Sequence, residues 1–136
     1  MVQRYLGKLS GPLLDRIDLH IEVPAVPFSE LRGKDEGSSS AEMRERVCAA
    51  RELQDQRGFY NAHIPASQVR KICALDEAGE RTLEMAVRRM GLSARAHDRI
   101  LKVGRTVADL DHAPRISAKH LAEAVQYRSL DRQYWG

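Results

Sequence analysis

Aromatic residues are scarce in this chain, with two Phe, four Tyr and one Trp among 136 residues. A single-strand platform of stacked aromatics is a poor fit, because each base needs a ring to lie on. Cysteine is scarcer. Cys48 and Cys73 stand alone, without the paired spacing of a zinc site or a redox dithiol, and read as small buried hydrophobes in a reducing cytoplasm. No apolar run approaches the ~20 residues that span a bilayer, and the first residues lack the pattern of a secretion signal. A cytoplasmic protein without a membrane partner is expected. His20, His63, His97, His112 and His120 are scattered, with no H-E-x-x-H spacing, so no metal site is expected. A G-x-x-x-x-G-K-S/T phosphate loop is missing, as is an apolar strand ending in paired acids. Nothing in these residues makes the chain an enzyme by itself.

What is present is a core's worth of apolar residues (43%) under a heavily charged surface (30%). Lysine and arginine together number 22 against 19 acids, for a net charge of +3. That balance permits a phosphate-bearing partner without requiring one.

The chain reads as two unequal parts. Residues 1–26 look like the end of a mixed α/β domain. Gly11 to Arg16 suggests a short helix, with Pro12 tolerated in its first turn. Ile17, Leu19, Ile21 and Val23 then alternate with Asp18, His20 and Glu22, which predicts a half-buried strand ended by Pro24. One strand is not stable alone. Its neighbours are expected upstream, with Met1 an addition rather than the natural start.

Residues 27–39 form a linker with Pro27, Gly33, Gly37 and a serine run. Residues 40–136 predict an all-α bundle of about five helices. Ser39 and Glu42 make a capping box ahead of Met43, Val47, Ala50 and Leu53, and Gly58 ends that helix. A short helix after Pro65 turns Val69, Ile72 and Cys73 inward. The next begins near Asp76, carries Leu83, Ala86, Val87 and Met90, and stops at Gly91. Ser93 caps a fourth whose stripe is Ala96, Ile100, Val103, Val107 and Leu110. Pro114 breaks it, and Ser117 caps a fifth with Leu121, Ala122 and Val125.

Two arginines hold marked positions. Arg16 lies between the short helix and the predicted strand, where its planar permanent cation could reach a phosphate on a neighbouring molecule. From spacing alone, a surface arginine pairing with Asp15 or Asp18 is the better account. Arg95 sits in the first turn of the fourth helix, where free N–H groups favour an anion and a cation does not help the helix. Arg99 and Lys102 follow on the same face, and by pattern alone a solvated basic face is the simpler reading.

Two long motifs change that balance. YLGKLSGPLLDRIDLHIEVP, residues 5–24, resembles the segment that closes the ATPase core in magnesium chelatase-like AAA+ proteins. GLSARAHDRILKVGRTVADL, residues 91–110, resembles the lid helix of the same family. The LDEAGERTLEMA and LAEAVQYRSLDRQYWG segments are also similar, so the likeness covers nearly the whole chain and is nearest the ComM/YifB type.

The resemblance implies that residues 1–26 close the ATPase core and that residues 40–136 are the C-terminal lid. It implies that Arg16 is the arginine finger acting in trans, with Asp15 as its orienting neighbour. Arg95 becomes sensor 2, and Arg99 a possible supporting residue. It implies ATP and Mg2+ as ligands of the full-length protein, with none held by this part alone. The implied partners are the chain's own N-terminal ATPase core, further copies in a hexameric ring, and DNA during branch migration and natural transformation. A chelatase-like remodelling or metal-insertion ATPase stays open as an alternative. So does a free-standing helical module that binds DNA or protein, against which the unpartnered strand counts.

Overall fold

The computed structural model describes residues 4, 7, 8, 10–25, 27, 28 and 37–128. Among these are six α-helices and one 3-10 turn: α1 (Gly11–Arg16), α2 (Ser40–Arg57), the turn (Asn61–His63), α3 (Ala66–Ile72), α4 (Glu77–Met90), α5 (Ala94–Leu110) and α6 (Ala118–Gln126). Most of the predicted linker and the final eight residues lie outside the described residues.

Local chemistry sets the helix ends. Ser10 accepts the Leu13 N–H at 3.1 Å, with Pro12 in the first turn of α1. Ser39 and Glu42 cap each other's backbone at the start of α2, and Gly58 stops that helix at φ 95°. Asp76 caps α4 by accepting from Gly79 at 2.7 Å. Ser93 caps α5 by accepting from Ala96. After α5, His112 takes a left-handed φ of 54°, which lets Ala113 N–H reach the Ala108 carbonyl at 2.8 Å. That is a Schellman ending on a residue other than glycine.

The central helix is α5. It packs against α6, α2, α3, α1 and the 3-10 turn, while α4 closes over α6. Ile64, Val69, Cys73, Leu83, Ile100, Leu101, Ala108, Ile116, Leu121 and Ala124 form one core. At Gly104 a Cβ would meet the Leu121 methyl at 3.2 Å, so the missing side chain is what lets α6 lie close to α5. A single parallel bridge between Leu75 and Ile116 joins the two loops that precede α4 and α6.

Four sequence expectations are corrected. The strand over 17–23 does not form: this stretch is irregular and has no ladder among the described residues. Ile21 and Val23 are 67% and 82% exposed, while His20, from the polar set, is buried. A strand exists only through neighbours, and none pairs with this one among the described residues. In α5 the deepest face is Ala96, Ile100, Leu101, Gly104, Arg105, Ala108 and Asp109, with Val103, Val107 and Leu110 only half-buried. The helix is covered on several sides, so its buried arc is centred on small and polar residues. In α2, Met43 and Val47 are exposed, and only Ala50 and Gln54 are buried. Residues 40–48 are exposed throughout. Similarly, Ala124 rather than Ala122 turns inward from α6.

Candidate functional site

Arg16 is the last residue of α1 and is exposed. Its helix is short, but Leu14 is 1% exposed and anchors it against the bundle. Neither Arg16 nor the half-buried Asp15 has an ion-pair partner among the described residues. The surface pairing that spacing favoured is closed off on one side, because Asp18 is held by Arg99 at 2.7 Å. Arg99 is thereby engaged in a partly exposed ion pair.

Arg95 is exposed in the first turn of α5, one turn before Arg99. Ser93 Oγ satisfies the Ala96 N–H, and the Ser93 carbonyl takes the His97 N–H at 3.0 Å. The earlier N–H groups of this turn point out of the helix beside the Arg95 cation, which favours an oxyanion there. Among the described residues no group of three or more His, Cys, Asp or Glu side chains could hold a metal ion. No described helix is long and apolar enough to cross a membrane.

Sequence reasoning missed a buried ionic cluster on the other side of α5. Asp109 is fully buried. Arg57 reaches it with both terminal nitrogens. Arg105 Nε donates to it at 3.2 Å, and Asn61 Nδ2 donates at 2.9 Å. Arg105 also donates to the Ala113 and Pro114 carbonyls at 2.8 and 3.3 Å, tying the cluster to the turn after α5. Burial pulls the Arg105 guanidinium below its usual pKa range, and the Asp109 charge opposes that shift. A signal existed: Arg105 and Asp109 stand four apart on a helix otherwise rich in apolar residues. Arg57 gave none.

His120 is buried too, and it completes the α6 capping box in place of Glu or Gln. Its Nδ1 accepts the Ser117 N–H at 2.9 Å, which leaves Nε2 to donate to Asp111 at 2.9 Å. Hydrogen bonds from His120 and then Lys119 hold the Asp111 carboxyl below the usual carboxylate range. This cluster closes the α5–α6 turn and has no reacting partner.

The cysteines differ from expectation. Cys73 is buried, as its type suggests, but Cys48 is exposed on the first half of α2. Burial raises the Cys73 thiol from 9.0 to about 11, partly offset by the nearby Arg105 and Arg57. At pH 8 a thiol alkylating reagent is expected to label Cys48 rapidly and leave Cys73 protected until the chain unfolds. Mass spectrometry of labelled peptides reads this directly, and equal labelling of both would contradict the fold. Because the folded pKa is raised, the stabilisation from a neutral Cys73 is complete below pH 9. It is lost as pH rises through about 11, amounting to roughly 2–3 kcal/mol. A Cys73→Ala chain should lack that alkaline loss in urea titrations.

Comparison with known proteins follows the same outline. Residues 37–128 match the family described as magnesium chelatase, subunit ChlI, C-terminal, and residues 1–31 match the magnesium chelatase, subunit ChlI, family. The competence protein ComM of Haemophilus influenzae is 46% identical over 133 residues, which is 96% of this chain and 26% of that protein. The YifB proteins of Salmonella typhimurium and Escherichia coli are 46% and 45% identical over 131 residues, again 95% of this chain and 26% of theirs. The chain thus spans about a quarter of the length of the curated relatives it matches. By its helical architecture and its match over residues 37–128, the chain belongs to the magnesium chelatase ChlI C-terminal family.

Proposed function

We propose that this chain is the lid-bearing C-terminal part of a AAA+ ATPase that works in the cytoplasm as a hexameric DNA motor. In this reading Arg16 is supplied to the ATP bound by the adjacent subunit, and Arg95 contacts the γ-phosphate within its own subunit. The observation that carries it is the state of Arg16. It is exposed, it has no ion-pair partner among the described residues, and it projects from a helix fixed by Leu14.

A guanidinium in that position suits phosphoryl transfer, where negative charge spreads over the transferring oxygens and needs a cation already in place. The groups that cradle the triphosphate and hold Mg2+ are expected from the upstream core. This chain contributes two positive charges, one for each side of a subunit boundary. Arg95 gains from the N–H groups of the first turn of α5, which reinforce its attraction for an oxyanion. Movement of the lid against the core then follows nucleotide state. The competence label of the Haemophilus relative favours DNA as the substrate acted upon, during uptake and branch migration of incoming strands.

The test is ATP hydrolysis by the full-length protein with and without DNA, for wild type and Arg95→Ala. DNA is expected to stimulate wild-type turnover, and Arg95→Ala is expected to lose turnover together with affinity for ATP. Turnover indifferent to every DNA structure, but stimulated by a protein or porphyrin partner, would replace the DNA motor with a chelatase-like remodeller.

A further inference from the structure

The helix that carries Arg16 is attached to the bundle more firmly than a core remnant needs to be. Arg128, just beyond α6, is completely buried. Its guanidinium donates to the carbonyl of Leu14 at 3.2 Å and to that of Ile17. Those carbonyls lie at the C-terminal end of α1, where the Leu14 carbonyl also takes the Ile17 N–H at 3.1 Å and the Ile17 carbonyl lies past the helix. His20 N–H donates to the Tyr127 carbonyl at 2.6 Å, continuing the same seam. On another side Asp18 is held by Arg99, one helical turn from Arg95. Arg16 is therefore flanked by two anchors, both on the lid.

Burying a guanidinium is costly, so its use here calls for a reason beyond filling space. A guanidinium donates to two carbonyls at once from two nitrogens held in a fixed plane, which methionine cannot do and which the single rotating nitrogen of lysine does with less directional control. The two carbonyls are 114 and 111 residues away in sequence, so the contact serves no local turn.

We propose that Arg128 is a positioning residue for Arg16, clamping the end of α1 to the lid so that this short helix moves with the lid instead of with the rest of the core, and Arg16 and Arg95 travel as one unit. The proposal rests on Arg16 acting in trans on a neighbour's ATP. It has a mechanical consequence. When nucleotide in one subunit draws in Arg95 and turns the lid, the same rotation presents or withdraws that subunit's Arg16 at the next nucleotide.

The experiment compares Arg128→Met, Arg16→Ala and the double variant in the full-length protein, with ring assembly checked for each. Arg128→Met is expected to lower kcat by roughly 10- to 100-fold, as a small misplacement of a catalytic group does, with KM for ATP unchanged. The double variant is expected to be no slower than Arg16→Ala alone, and Arg128→Lys to recover only part of the loss. Wild-type kcat in Arg128→Met rings, or a double variant losing the product of the two single effects, overturns the proposal. Should Arg128→Met fail to fold, Asp18→Asn carries the test from the exposed anchor, with a smaller fall in kcat at constant KM expected and no change counting against it. Silence of Arg16→Ala brings down the trans reading itself, and this proposal with it. Hydrogen exchange at the Ile17 and His20 amides separates the two failures: exchange unaffected by Arg128→Met means that the clamp is absent even where Arg16 matters.

Discussion

On the proposed function, replacing Arg16 by Ala in the full-length protein is expected to lower ATP turnover by at least about 10³-fold while nucleotide binding and ring assembly persist. The magnitude follows from where charge develops. A cation delivered only when the neighbour's γ-phosphate is transferring stabilises the transition state more than the ground state, so kcat falls and KM does not. The fold supplies the control. Arg16 is exposed and makes no ion pair among the described residues, so its removal should change stability by no more than about 0.5 kcal/mol. A loss of turnover cannot then be ascribed to unfolding. Arg16→Lys should restore little, because a lysine ammonium lacks the planar fork. Mixing inactive Arg16→Ala subunits with subunits defective in nucleotide binding should recover turnover where the finger of one meets the nucleotide of another. Unchanged hydrolysis by Arg16→Ala returns this residue to the ordinary surface.

The largest stability effect is expected at Asp109. Substitution by Ala should cost about 3–5 kcal/mol, because it leaves Arg105 buried and Arg57 largely buried with no anion between them. Domains of this size are stable by only about 5–15 kcal/mol, so the urea midpoint should fall sharply. The contrast is Asp18→Ala, which breaks a 2.7 Å ion pair in a partly exposed setting and should cost under about 1 kcal/mol. Replacing Arg57, Arg105 and Asp109 together by apolar residues should recover much of the loss, since the penalty comes from unpaired charge. A loss at Asp109→Ala no larger than that at Asp18→Ala would mean that the cluster is solvated.

The helices were legible because their signals are local. Ser39 with Glu42, Asp76 before its turn, Ser93, and the glycines at 58 and 91 each satisfy or terminate backbone groups within a few residues. The family likeness was also carried by contiguous motifs, and the same motifs single out Arg16 and Arg95. Cys48 and the exposed Met43 and Val47 of α2 were misjudged, because apolar spacing records which face is greasy and not whether anything covers it.

Taken alone, then, the sequence determined the helical class, the helix boundaries, the family and the positions at which arginines stand at element ends. Tertiary structure alone decided which arginines are engaged. It set Arg57 and Arg105 on Asp109, Arg99 on Asp18, and Arg128 on the end of α1, while leaving Arg16 and Arg95 exposed. It also decided that residues 17–23 do not form a strand here. The physical reason is common to both. Capping and periodicity arise between neighbours in the chain, whereas an ion pair or a strand ladder depends on groups that only the packing of distant segments brings together.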